Sequence, residues 1–213
     1  MRLLPLALCA LAFTTASCTS LHYGFMEKFG VDKRDILVDR VQEGREDQAD
    51  AKEQFQTTYE RLKDITRADG GDLETKYRKL DAEYEDSVAA AEDVRERIDS
   101  IERVASDLFD EWQEEIGEMS SAEAQSSSRQ LLDETQDSYR ALIRTMKEAE
   151  SRMGPVLAAF KDQVLLLKHN LNARAVASLQ ETVVGIESDI ESLIRAMESS
   201  IDEADEFLAG MGG

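Results

Sequence analysis

Between Leu73 and Trp112, an apolar or small residue returns every fourth then third position. The series is Leu73, Tyr77, Leu80, Tyr84, Ser87, Ala91, Val94, Ile98, Ile101, Ala105, Leu108 and Trp112. Glu, Asp, Arg and Lys fill most positions between. That spacing holds one narrow stripe on one face of a helix for about five heptads. A helix cannot bury its own stripe, so the rest of the chain must supply covering helices.

Three further segments carry the same spacing. The first is expected over 31–68, with a seam of Leu37, Val41, Gly44, Gln48, Ala51, Phe55, Thr58, Leu62 and Ile65. Asp32 is its predicted N-cap. Gly44 and Ala51 permit close helix approach, and Gln48 needs a polar partner. The opening stripe belongs to a second helix over 72–117. A third is expected over 121–169, with Leu132, Thr135, Tyr139, Leu142, Met146, Ala149, Met153, Val156, Phe160, Val164 and Leu167 on its seam. Ser120 and Glu123 fit a capping box at its start. The fourth, over 172–208, has Val176, Leu179, Val183, Ile186, Ile190, Leu193, Met197, Ser200, Ala204 and Phe207. Residues 209–213 are expected to form a flexible tail.

The turns are written in the sequence. Asp69-Gly70-Gly71-Asp72 and Asn170-Leu171-Asn172 carry turn residues, whereas Gly154-Pro155 falls inside the third helical pattern. Length decides how to read Pro155. A third helix ending there leaves half of the second uncovered, so Pro155 is read as a kink at 154–155 rather than a break. The predicted fold is all-α: an elongated antiparallel up-down-up-down four-helix bundle, or coiled coil. Pairing the first two helices about Gly70-Gly71 sets Leu37 near Val104 and leaves Trp112 overhanging the start of the first. A weak middle to the first seam leaves a homodimer as the alternative assembly.

The residues before 31 follow another pattern. Arg2 precedes an apolar run, Leu3 to Phe13, that is too short to span a bilayer. Small residues and Cys18 follow, and Thr15-Ala16-Ser17-Cys18 resembles a bacterial lipobox, with Thr15 where that pattern prefers Leu. Residues 1–17 are thus expected to be a signal peptide, and 18–30 a tether lipidated at Cys18. The alternative is ordinary cleavage after Ala16 with a free Cys18. Thr19 after the cysteine points to the outer membrane by analogy with lipoprotein sorting. Tyr23, Phe25 and Phe29 of the tether, with Trp112, are the expected contacts at the membrane-proximal end. They would rest at the lipid interface or plug the end of the bundle.

Composition narrows function. The chain has 25 Lys and Arg against 45 Asp and Glu, a formal net charge of −20. Such a body is repelled by nucleic acid and by anionic lipid headgroups. Of two cysteines, Cys9 lies in the segment expected to be removed, which leaves no internal disulfide. Of two histidines, His169 lacks a Glu three residues before it, so the di-iron bundle pattern is missing. No His-Glu-x-x-His, phosphate loop or Gly-x-Ser-x-Gly occurs. No catalytic residue, metal ligand or cofactor is therefore assigned.

One stretch departs from the acidic background. Gln163 to Gln180 contains no acidic residue and holds Lys168, His169 and Arg174. The expected topology places it at the distal tip, near Arg67. These four residues are the candidate partner-binding site, for peptidoglycan or an envelope protein. The bland reading is an apolar helix end, since Val164-Leu165-Leu166-Leu167 is apolar on all sides.

Two longer runs carry a family resemblance. They are Tyr23-Gly24-Phe25-Met26-Glu27-Lys28-Phe29-Gly30 running into Lys33-Arg34-Asp35-Ile36-Leu37-Val38-Asp39-Arg40-Val41, and Pro155-Val156-Leu157 with Leu167-Lys168-His169-Asn170-Leu171-Asn172-Ala173-Arg174-Ala175. Together they resemble an uncharacterised family of bacterial envelope lipoprotein-like proteins, domain of unknown function 2959. The resemblance implies an exported helical protein and brings no reaction or ligand. The expected function is that of a periplasmic helical lipoprotein, held by acylated Cys18 to the inner leaflet of the outer membrane. It would act as a spacer, scaffold or adaptor and not as an enzyme. A second reading is a bundle holding a small apolar or cationic ligand among Gly44, Gln48, Ala51 and Ala91. A remote third is an envelope-remodelling hydrolase, for which the seam supplies no carboxylates.

Overall fold

The computed structural model describes residues 31–67, 73–170 and 173–211. Four helices make up almost all of it: α1 (Val31–Thr66), α2 (Leu73–Glu118), α3 (Ala122–His169) and α4 (Ala173–Met211). At about 1.5 Å per residue, α2 and α3 are each roughly 70 Å long. Each helix packs against two others, in the closed order α1–α2–α3–α4–α1.

Cross-helix contacts fix the register, and they run in opposite order on neighbouring helices. Lys33, at the start of α1, reaches Glu111 near the end of α2, while Arg61 meets Glu83. On the other flank of α1, Arg45 pairs with Asp205 and Lys52 with Glu198. Between α2 and α3, Arg95 meets Glu150 and Glu102 meets Lys147. Arg152 of α3 donates to Ser192 of α4.

The seams read from the sequence face inward. Every α1 seam residue from Leu37 to Ile65 is buried, and so is every α2 seam residue from Ala91 to Leu108. The α4 seam is buried from Leu179 to Phe207. The centre of the bundle is filled across the diagonal. Phe55 of α1 meets Phe160 of α3 with ring centroids 6.2 Å apart, in a tilted arrangement. At the Gly44 level a Cβ would lie 2.9 Å from Ile101 Cδ1, 3.1 Å from Arg97 Cγ and 3.4 Å from Met146 Cε. A side chain at 44 therefore makes the ends of Ile101, Arg97 and Met146 give way, and Ala51 and Ala91 are core residues.

One polar layer is closed by direct bonds. Thr58 Oγ1 and Ser87 Oγ lie 2.8 Å apart, so one donates to the other. Each is 2.9 Å from the Glu83 carbonyl, which accepts from the second hydroxyl and from Gln54 Nε2 at 3.0 Å. Both hydroxyls lie on seam positions, so the layer stitches α1 to α2 without leaving a donor unpaired.

Several expected boundaries move. Asp32 lies inside α1, which begins at Val31, so it is not the N-cap. The α3 cap is Ser121 rather than Ser120. Its hydroxyl accepts from Ala124 N–H at 3.2 Å, because the helix starts one residue later than the capping-box reading placed it. Pro155 sits within a continuous α3 and is exposed to solvent, so it does not end the helix. Residues 209–211 are helical rather than tail: α4 runs to Met211, whose carbonyl accepts from Arg34 Nη2. Residues 212 and 213 lie outside the described residues.

The Gly44 contact yields a direct test. Gly44→Val inserts two methyl groups where one Cβ already meets Ile101, and is expected to cost about 1–3 kcal/mol. Gly44→Ala is expected to cost less, because alanine gains about 1 kcal/mol of helix propensity over glycine. Urea unfolding of the two variants and the parent measures this. Equal stability of Gly44→Val and parent would show that the approach is not tight.

Candidate functional site at the two ends of the rod

The distal end gathers the close of α1, the start of α2, the close of α3 and the start of α4. Gln180 Nε2 donates to the Thr66 carbonyl at 3.0 Å, and Lys76 Nζ donates to the Asp64 carbonyl at 3.1 Å. These bonds satisfy carbonyls at the open end of α1. Asn170 closes α3, its N–H donating to the Leu167 carbonyl at 3.1 Å. Lys168 and His169 are exposed in the last turn of α3, and Arg67 is exposed just past α1. Arg174 lies in the first turn of α4. The four tip residues therefore fall at one end, as the topology requires.

Charge at this end differs from the shaft. Residues 61–79 and 163–180 carry eight basic and four acidic side chains, leaving seventeen basic and forty-one acidic for the rest of the chain. Most shaft cations are committed. Arg97 is held by Asp47 at 2.8 Å and by Glu43, and Arg45 and Lys52 pair across to α4. Arg67 and Lys168 make no ion pair among the described residues. Leu165 and Val184 are exposed nearby, at 43% and 70%. This end can therefore meet an anionic partner without first breaking internal pairs at those two side chains.

At the opposite end α2 and α3 outrun α1. Lys33 lies against the Asp107 carbonyl at 3.3 Å and Glu111 at 3.1 Å, so Trp112 to Glu118 extends past the first turn of α1. Trp112 is half-buried and its Nε1 donates to Ser128 Oγ at 2.9 Å, a bond that the seam pattern could not reveal. Ile116 is fully buried, also outside the predicted seam. Cys18, Tyr23, Phe25 and Phe29 lie outside the described residues.

Glu115 stands in this overhang with Oε1 buried and without a hydrogen-bond partner. Burial raises its pKa, Glu111 and Glu118 add repulsion, and Lys33 offsets part of the effect. Burial also pushes Tyr59 up to about 12, with Glu187 adding to the shift. Tyr59 lines a groove of about 470 Å³ between α1 and α4 with Ile190, Ile194 and Glu191, and Lys63 Nζ sits 4.9 Å from its ring centroid. No three His, Cys, Asp or Glu side chains converge as a metal site among the described residues. Among them, no helix is long and apolar enough to cross a membrane.

The Glu115 shift has a definite sign. A carboxyl whose folded pKa is raised stabilises the fold when protonated, and that contribution is lost as pH rises through the folded pKa. Glu115→Gln is therefore expected to raise the melting temperature at neutral pH. The gain should shrink as pH falls through the carboxylate range. A gain that stays constant across that range would sink the assignment.

No curated protein and no solved structure matches the chain. The model of the family described as "Protein of unknown function (DUF2959)" matches residues 22–211. With nearly its whole length matched, the chain belongs to the DUF2959 family.

Proposed function

We propose that this protein is a membrane-anchored periplasmic lipoprotein that works as a spacer, scaffold or adaptor in the cell envelope. Cys18 is the lipidated anchor, in the inner leaflet of the outer membrane. The bundle then carries Arg67, Lys168, His169 and Arg174 to an anionic partner, peptidoglycan or an envelope protein. The observation that carries this reading is the reversal of charge along the rod. The end far from residue 31 is the basic one, in a chain whose net charge is −20.

Helix length supports it as well. Roughly 70 Å of continuous helix separates the two ends. A repulsive acidic shaft would keep the rod off anionic surfaces along its length, while the tip remains attractive.

A photoreactive residue in place of Lys168, activated in cells, tests the proposal. Mass spectrometry of the captured species is expected to give one discrete protein or wall fragments. Lys168→Glu with Arg174→Glu should abolish that capture when the probe is moved to His169. Capture of nothing at the tip, while a probe near Phe25 yields only lipid, would remove the adaptor reading.

A further inference from the structure

A second polar layer lies in the core, and unlike the Thr58–Ser87 layer it is not closed by direct bonds. Gln48 is 1% exposed, and neither its Nε2 nor its Oε1 has a hydrogen-bond partner. Ser200 is 0% exposed, and its Oγ also lacks one. The two residues occupy seam positions on neighbouring helices. They also share a cross-section, because two ion pairs bracket them: Arg45–Asp205 at 2.5 Å on one side and Lys52–Glu198 at 3.5 Å on the other.

Leaving such groups unpaired is costly. A buried donor or acceptor without a partner costs about 1–3 kcal/mol, and three atoms of this kind meet in one layer. The seam neighbours are mixed in size, with Met197 beside Ser200 and with Ile101 and Met146 reaching in at the Gly44 level. Gly44 and Ala51 flank Gln48 along the α1 seam, and Ala204 flanks Ser200 along α4. The carboxylates flanking the layer are either paired or exposed to solvent: Asp47 is held by Arg97, Asp205 by Arg45 and Glu198 by Lys52, and Asp50 and Asp202 are exposed. The donors on offer are thus one amide and one hydroxyl, neutral groups with both hydrogen-bonding roles. That set suits a neutral ligand with two donors and two acceptors, and it does not suit an ion.

We propose that the Gln48–Ser200 layer is an internal hydration site, in which bound water joins α1 to α4. Water that accepts from the Gln48 Nε2–H and donates to both Ser200 Oγ and Gln48 Oε1 pairs all three atoms. Buried waters of this kind make about three hydrogen bonds and are costly to remove. The site is independent of what the tip binds.

The test uses the purified full chain in detergent. Magnetic relaxation dispersion of solvent water counts long-lived internal waters, and thermal melts give stability. Gln48→Met keeps the side-chain length but removes both polar atoms. If the layer is hydrated, Gln48→Met loses at least one long-lived water and lowers the melting temperature. A dry layer predicts the reverse: the water count is unchanged and the melting temperature rises, because an unpaired amide has gone. Should Gln48→Met not fold, Ser200→Ala reads the same question. The proposal expects it to lower both the water count and the melting temperature. An unchanged count with equal or higher stability overturns it.

Discussion

Everything in this bundle depends on keeping a narrow apolar seam buried along helices of up to 48 residues. A coiled-coil seam covers only two or three positions in seven, so each helix must find two neighbours at the right rotation along its length. The contacts that satisfy this are short-range and side-chain specific. Gly44 lets Ile101 and Met146 close over α1, Phe55 and Phe160 fill the axis, and Thr58 with Ser87 fixes α1 against α2. Most of the cross-helix ion pairs outside the seam are partly solvent-exposed and individually weak. Their value is in register: Lys33–Glu111, Arg45–Asp205, Lys52–Glu198, Arg95–Glu150 and Lys147–Glu102 are met only when the seam is aligned.

The same spacing made the fold legible. Seam residues on all four segments could be named from the four-three pattern, and most of them are buried, while Leu73, Tyr77, Tyr84, Trp112, Thr135, Tyr139 and Val176 are partly exposed. The breaks between α1 and α2 and between α3 and α4 were legible because Gly and Asn clusters interrupt the period; the predicted turn residues 69–72 and 171–172 themselves lie outside the described residues. What the pattern missed depends on contact rather than period. Trp112 reaches Ser128 sixteen residues away across a hairpin, and Ile116 is buried although it lies past the last seam position. The cap moved from Ser120 to Ser121 because adjacent serines offer the same chemistry, and only backbone geometry chooses between them.

The candidate site was legible only in outline. A stretch lacking acid, from Gln163 to Gln180, stands out in a chain this acidic, and topology brings it to one end with Arg67. Which of the cations remain uncommitted could not be read from composition. Lys63 pairs with Glu60 and lies over Tyr59, and Lys76 caps a carbonyl, whereas Lys168 and Arg67 project without an ion pair among the described residues. The sequence also showed that Gln48 needs a partner, without showing that Ser200 shares its layer.

Arg34 bonds the Met211 carbonyl, so α1 opens and α4 closes at the same end of the rod. This parity has a practical side. A fluorescent protein or affinity handle appended after Met211 would crowd the end from which α1 emerges and leave the basic end clear. A reporter meant to sense the basic end belongs instead in the connections at 68–72 or 171–172. Internal fusion there, rather than terminal fusion, is how its surroundings would be read in a living cell.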